Sequence, residues 1–124
     1  MKIFIYGTLK RGCINHNIII NKKDVAYLGV YSTINCTLYL GTYPYLVKQG
    51  NENVIGELYN ITNNKLISKL DIFEGSPDYY KREIISIYNL PDETIVEEVQ
   101  AYILQDKEVL ASLTREQIIS EYKE

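Results

Sequence analysis

Two short stretches hold residues whose types and spacing can do chemistry. The first is Tyr6-Gly7-Thr8-Leu9-Lys10-Arg11-Gly12, which follows the apolar run Ile3-Phe4-Ile5. A strand that runs into two glycines, a threonine and two cations ends at a place suited to binding. Gly7 and Gly12 have the G-x4-G spacing of a phosphate loop. That motif needs Lys and then Ser or Thr directly after the second glycine, where this chain has Cys13 and Ile14. The phosphate reading fails at those positions. What remains is a backbone that comes close to a ligand or takes positive φ at Gly7, with successive N–H groups able to hold an anion such as a carboxylate. The alternative is an ordinary turn.

The second stretch is Leu70-Asp71-Ile72-Phe73-Glu74-Gly75. Asp71 and Glu74 are three apart and fall in the last turn of a helix. Acids there oppose the helix dipole, at a cost of roughly 0.3–1 kcal/mol each when exposed. The negative end of the dipole raises a carboxyl pKa, as burial does. A raised pKa is what a general base working near neutrality needs. The alternative is two solvated acids on a surface turn. Glu57, in Gly56-Glu57-Leu58-Tyr59, points either into a barrel or out to water, and the sequence does not decide between them.

Other chemistry is poorly supplied. His16 is the one histidine, without the cysteine or carboxylate cluster a metal site requires. Cys13 and His16 stand at a helical spacing, but nothing in the sequence orients the imidazole for a nucleophilic pair. Twelve tyrosines and no tryptophan suit strands, or alternatively line a half-wet cavity.

The elements that must position these residues are short. Asn15 to Ile20 reads as a short helix or an irregular crossover. Val25 to Val47 is rich in strand formers, broken by Gly29, Gly41 and Pro44 into two or three strands. Gly50 to Asn53 reads as a turn, and Val54 to Ile61 as the next strand, with Gly56 at a bulge or close approach. Thr62 or Asn63 caps a helix whose apolar stripe is Leu66, Leu70 and Phe73. Gly75 and Pro77 stop it. Two strands follow, Tyr79 to Tyr88 and Thr94 to Leu104, joined by a turn at Leu90 to Glu93. Thr114 and Gln117 form a capping-box pattern that predicts a short terminal helix carrying Ile118, Ile119 and Tyr122. Five to seven strands and two or three helices, with strand mostly following strand, predict an α+β domain. Its sheet is mainly antiparallel and closed into a small barrel that removes exposed edges.

The 124 residues predict one domain, residues 1–124. With 46% hydrophobic residues there is enough for a core, and with net charge −3 and pI about 5.2 there is no basic stripe for nucleic acid. The two cysteines form no CxxC, so free thiols in a reducing compartment are expected. No stretch reaches the roughly 18 apolar residues of a membrane span. The N-terminal apolar run is too short for a signal peptide. A cytoplasmic protein is the expectation; the oligomeric state cannot be read.

Taken in order, FIYGTLKRG followed by Asn15-His16, then TYPYLV, GELY and LDIFEGSPDYYKR resemble the gamma-glutamylcyclotransferase-like family, most of all its gamma-glutamylamine cyclotransferase branch. The resemblance spans residues 2 to about 104 and implies a small mixed barrel with flanking helices. It implies a gamma-glutamyl compound as small-molecule substrate, released as 5-oxoproline and a free amine. By resemblance Tyr6, Gly7, Thr8 and Leu9 bind the glutamyl part, Glu74 is the catalytic general acid/base, and Tyr80 and Tyr102 lie on or near the pocket. The implied reaction requires no metal, cofactor or covalent intermediate. The loop departs from the Tyr-Gly-Ser-Asn-Leu type of enzymes acting on gamma-glutamyl amino acids, which leans the expectation toward gamma-glutamylamines. Two rival readings stand beside it: a non-catalytic small-ligand or interaction domain on the same fold, and a hydrolase using Asp71 and Glu74 as an acid/base pair.

Overall fold

The computed structural model describes residues 1–19, 23–90, 93 and 96–124. Strands β1 (Lys2–Ile5), β2 (Val25–Ile34), β3 (Cys36–Leu40), β4 (Pro44–Glu52) and β5 (Ile55–Ile61) precede helix α1 (Asn64–Phe73). Strands β6 (Tyr80–Asn89) and β7 (Val96–Leu104), helix α2 (Lys107–Ser112) and the two-residue strand β8 (Ile118–Ile119) complete the chain. Five strands close into a barrel in the order β1-β5-β2-β6-β7. Its pairs are antiparallel except β1 with β7, which run parallel at Ile3 and Gln100 and close the ring. β4, β3 and β8 form a separate three-stranded sheet. The architecture is the small mixed, mainly antiparallel barrel with short helices that the alternation of strands and turns predicts.

Alternating side chains of β1 serve two apolar clusters, as the two-residue period of a strand requires. Ile3 and Ile5 join a cluster with Leu66, Ile67 and Leu70 of α1, whereas Phe4 and Tyr6 join one fed by all five barrel strands. Asn63 rather than Thr62 caps α1, its Oδ1 accepting from the N–H groups of Lys65 at 2.9 Å and Leu66 at 3.3 Å. Gly56 is a close approach, since a Cβ there would lie 2.5 Å from Phe4 Cζ and 2.6 Å from the Ile5 carbonyl oxygen.

Several expectations are corrected. Gly50 to Asn53 is not a turn: β4 continues to Glu52, which pairs with Cys36 across a bulge. Of the predicted stripe, Leu66 and Leu70 are buried but Phe73 is exposed, and Ile67 takes its place in the core. Thr114 and Gln117 do form a capping box, but on a single 3₁₀ turn, Arg115–Gln117. The chain then extends as β8, because Ile118 and Ile119 pair with Tyr39 and Leu38 of an open sheet edge. Helix α2, capped by Asp106, was not anticipated. Residues 16–18 form a 3₁₀ turn, and Ile20, Pro91, Asp92, Thr94 and Ile95 of the predicted segments lie outside the described residues.

Gly56→Ala is expected to destabilise the fold by about 1–3 kcal/mol, the usual cost of overpacking. Its Cβ would meet a backbone oxygen that cannot move aside. Urea denaturation of the two proteins would check this, and an unchanged midpoint would rule out the close approach.

Candidate active site

The loop after β1 and the end of α1 face one cavity of about 820 Å³. All seven predicted site residues, Tyr6, Gly7, Thr8, Leu9, Glu74, Tyr80 and Tyr102, are on its walls. Sequence reasoning did not single out Tyr43, Tyr79, Tyr122 and Glu124 for the cavity, although they line it too. Six of the twelve tyrosines face it, so the cavity account of the tyrosines, the weaker of the two from composition, holds for half of them.

The loop is fastened from several sides. Glu57, 9% exposed, accepts from the backbone N–H of Arg11 at 2.9 Å, from Arg11 Nε at 3.3 Å and from the Tyr59 hydroxyl at 2.9 Å. Its carboxylate therefore points at the loop rather than at water. The Arg11 guanidinium stacks on Tyr27, 4.0 Å from the ring centroid. Asn15 binds Thr8 twice: its N–H donates to the Thr8 carbonyl at 2.9 Å and its amide nitrogen to the Thr8 hydroxyl at 3.0 Å. His16 Nδ1–H donates to the Leu9 carbonyl at 2.8 Å. The imidazole is thus a structural clamp, and burial pushes the Cys13 thiol up, so the pair is not built as a nucleophile and base.

Gly7 is required by space. A Cβ would lie 2.7 Å from Pro44 Cγ, at the start of β4. The loop turns on the bond from Lys10 N–H to the Gly7 carbonyl, 3.0 Å. The N–H groups of Gly7, Thr8 and Leu9 donate to no group among the described residues. Successive free donors on the wall of a cavity are a seat for an anion or a polarised carbonyl.

At the other wall α1 ends in a Schellman motif. Gly75 takes φ +66°, its N–H donates to the Ile72 carbonyl at 3.1 Å, and the Ser76 N–H donates to the Asp71 carbonyl at 2.9 Å. The two acids of the last turn part company there. Asp71 accepts Arg82 Nε at 2.8 Å, Arg82 Nη2 at 3.0 Å and the Tyr102 hydroxyl at 2.6 Å. The Arg82 guanidinium holds its carboxyl below the usual range. A two-point ion pair of this kind keeps Asp71 charged and occupied, and it is not on the cavity wall, so the hydrolase pair is not assembled. Glu74 faces the cavity half-buried, and its side chain has no hydrogen-bond partner among the described residues. Burial alone raises its pKa from the ordinary 4.5 to about 7; the helix dipole is not needed to explain it.

Three tyrosines feel that carboxyl. Burial, and then the neighbouring charges including Glu74, pushes the Tyr6, Tyr80 and Tyr102 hydroxyls well up, so all remain protonated. Each spends its proton on the protein. Tyr6 donates to the Tyr102 carbonyl at 2.6 Å, Tyr80 to the Pro44 carbonyl at 2.8 Å, and Tyr102 to Asp71. What they present to the cavity is ring faces and oxygen lone pairs. Among the described residues no three His, Cys, Asp or Glu side chains group as metal ligands.

A profile of the family described as "Gamma-glutamyl cyclotransferase, AIG2-like" matches residues 3–121. The chain belongs to this family. It is similar to a putative gamma-glutamylcyclotransferase of Drosophila melanogaster, 38% identical over 102 residues, 76% of this chain and 64% of that one. It is also similar to gamma-glutamylaminecyclotransferase B of Danio rerio, 32% identical over 114 residues, 81% of this chain and 57% of that one. The chain thus spans less than two thirds of the length of either relative. Among solved structures, an AIG2-like protein of Mus musculus superposes with a TM-score of 0.80 at 26% identity, covering 98% of this chain and 87% of that one. The strand-end loop and the helix-end acid are two walls of one cavity.

Glu57→Gln keeps the size of the side chain but weakens its grip on the Arg11 N–H. The expected outcome is a loss of about 1–2 kcal/mol of stability. Urea denaturation would check this; unaltered stability would release Glu57 from its anchoring role.

Proposed function

We propose that the protein is a cofactor-independent gamma-glutamyl cyclotransferase acting on gamma-glutamylamines, with Glu74 as the proton shuttle. The observation that carries the reading is Glu74 itself: an acid on the wall of the cavity, unpaired, with its pKa raised to about 7. A binding module has no use for such a residue and bears the cost of burying it. The substrate brings its own nucleophile, so the reaction needs little machinery. Holding the glutamyl group folded, with the amine against its own γ-carbonyl, is worth roughly 7–11 kcal/mol of the barrier.

The steps balance as follows. Glu74, ionised, takes a proton from the α-ammonium. The freed amine attacks the γ-carbonyl carbon, and a nitrogen–carbon bond closes the five-membered ring. The bond from that carbon to the leaving nitrogen breaks as Glu74 returns a proton to it. The second proton lost by the ring nitrogen leaves the freed amine as an ammonium. No water is consumed. The free N–H groups of Gly7, Thr8 and Leu9 anchor the α-carboxylate or polarise the γ-carbonyl. Tyr6, Tyr80 and Tyr102 form the floor on which the glutamyl chain lies. The lean to amines rests on the Tyr-Gly-Thr-Leu-Lys loop and on relatives that carry the gamma-glutamylaminecyclotransferase name.

Release of 5-oxoproline from gamma-glutamyl-ε-lysine, gamma-glutamyl-alanine and glutathione, each beside Glu74→Gln, tests the reading. The variant is expected to lose about 10²–10⁴-fold in kcat; equal release by both proteins would remove Glu74 from its role. Because the base must be ionised, kcat/KM should rise with pH, level off above about 7, and stand about a hundredfold below its plateau at pH 5. The same shift has the opposite sign for stability. A carboxyl raised from 4.5 to about 7 on folding leaves stability full below 4.5 and erodes it as pH climbs to about 7. Glu74→Gln should therefore be the more stable protein at pH 8 in urea denaturation, and a less stable variant would contradict that account.

A further inference from the structure

Glu121, Tyr122 and Glu124 follow β8 and return to the loop after β1. β8 pairs with Leu38 and Tyr39, and the Ile55 N–H donates to the Ser120 carbonyl at 2.8 Å, which ties the start of this segment to the body of the fold. Ile119 and Tyr122 pack against the barrel cluster. The Glu121 carboxylate lies 3.6 Å from the Lys10 ammonium. Glu124 Oε1 accepts the Ile14 N–H at 2.8 Å, and its Oε2 accepts the Tyr122 hydroxyl at 2.8 Å. Tyr122 and Glu124 reach the cavity wall. The family match ends at residue 121, so both lie beyond it.

The loop needs such a hold. Glu57, Asn15 and His16 fasten Arg11, Thr8 and Leu9. Between Lys10 and Ile14 the chain is otherwise open. Arg11, Gly12 and Ile14 are exposed, and Gly12 takes φ +81° where a Cβ would meet nothing within 4 Å. Few contacts and exposed backbone mark a segment that opens easily. The two contacts from beyond β8 fall at the ends of that stretch. Lys10 is 6% exposed, and its N–H donates to the Gly7 carbonyl to make the turn. A lysine buried this far needs a counter-charge, and Glu121 supplies it. The bond from the Ile14 N–H to the Glu124 carboxylate is charge-assisted, so it is stronger than one to a neutral acceptor.

We infer that Glu121 and Glu124 are positioning residues, and that residues 120–124 form a strap holding the loop after β1 in its substrate-binding shape. This rests on the cyclotransferase reading above, in which the loop seats the glutamyl part of the substrate. The strap acts through the loop. By fixing Lys10 it fixes the Gly7 carbonyl, and with it the direction of the free N–H groups of Gly7, Thr8 and Leu9. Glu124 does not serve as a second acid, since both its carboxylate oxygens are engaged. Glu74 stands at the end of α1, away from these contacts. The strap therefore governs the binding of substrate more than the transfer of its proton.

Hydrogen exchange at the Lys10, Cys13 and Asn15 amides reads the order of the loop, because each is bonded within the loop and none to the strap. Glu121→Ala combined with Glu124→Ala is expected to speed their exchange at least about tenfold, with the β6 and β7 amides unchanged. For gamma-glutamyl-ε-lysine, KM should rise at least about threefold while kcat falls less. Unchanged loop exchange in the double variant would overturn the inference. Exchange that speeds equally in β6 and β7 would also overturn it, by making the segment a general stabiliser. Faster loop exchange with an unaltered KM would leave a tether without a role in binding, and a higher kcat/KM would make the segment a barrier to the cavity; either result sinks the assignment. If the unaltered protein releases no 5-oxoproline, the reaction reading fails, and loop exchange alone decides whether the strap exists.

Discussion

Helix α1 ends where Gly75 turns left-handed and the Ser76 N–H reaches back to the Asp71 carbonyl. That cap fixes the direction in which the last turn presents its side chains. Asp71 meets the Arg82 guanidinium on β6 and is neutralised there. Glu74, three residues later, meets no partner among the described residues and is left on the cavity wall, where burial raises its pKa to about 7. A residue without Gly75's tolerance of φ +66° would strain the turn and change where Glu74 sits.

The opposite wall depends on a barrel that closes tightly. β1 and β5 pass so near at Gly56 that no side chain fits, which brings Glu57 against the loop leaving β1. Glu57, Asn15 and His16 then take up polar groups of Thr8, Leu9 and Arg11, while the N–H groups of Gly7, Thr8 and Leu9 have no partner among the described residues. Both walls therefore follow one pattern. Some acids and amides are consumed in fastening the backbone, while Glu74 and the N–H groups of Gly7 to Leu9 meet no partner among the described residues.

Much of this organisation was legible in the residues. Barrel, strand alternation, a cap at Thr62 or Asn63 and the Gly75 stop follow from period, propensity and capping chemistry, all local properties. Asp71 and Glu74 stood out together because acids in a helix's last turn break a local rule, and only the family resemblance pointed to Glu74. The misses share one physical cause. Phe73 sits on the predicted stripe but at the helix end, where there is no neighbour left to cover it. Gly50-Asn51-Glu52 has the composition of a turn but belongs to β4, whose Glu52 pairs with Cys36 of β3 beyond a bulge, and Ile118-Ile119 has a helical cap before it but pairs with an open sheet edge. Pairing across the chain overrides local preference at such places.

By itself, the sequence pointed to where chemistry could lie: one glycine-flanked loop at a strand end, two acids in a helix's last turn, and a supply of tyrosines beside a lone histidine. It also determined the strand and helix periods from which a barrel is built. Only the tertiary structure decided which acid is free. Asp71 and Glu74 are indistinguishable by spacing, and what separates them is Arg82 on a strand reached after Gly75. Glu57 could face water or core until Arg11 was seen to fold back onto it. Composition favoured strands over a cavity for the tyrosines until β1, β4, β6 and β7 brought Tyr6, Pro44, Tyr80 and Tyr102 together. Ionisation and hydrogen-bond partners are set by neighbours distant in sequence, and those exist only once the barrel has closed.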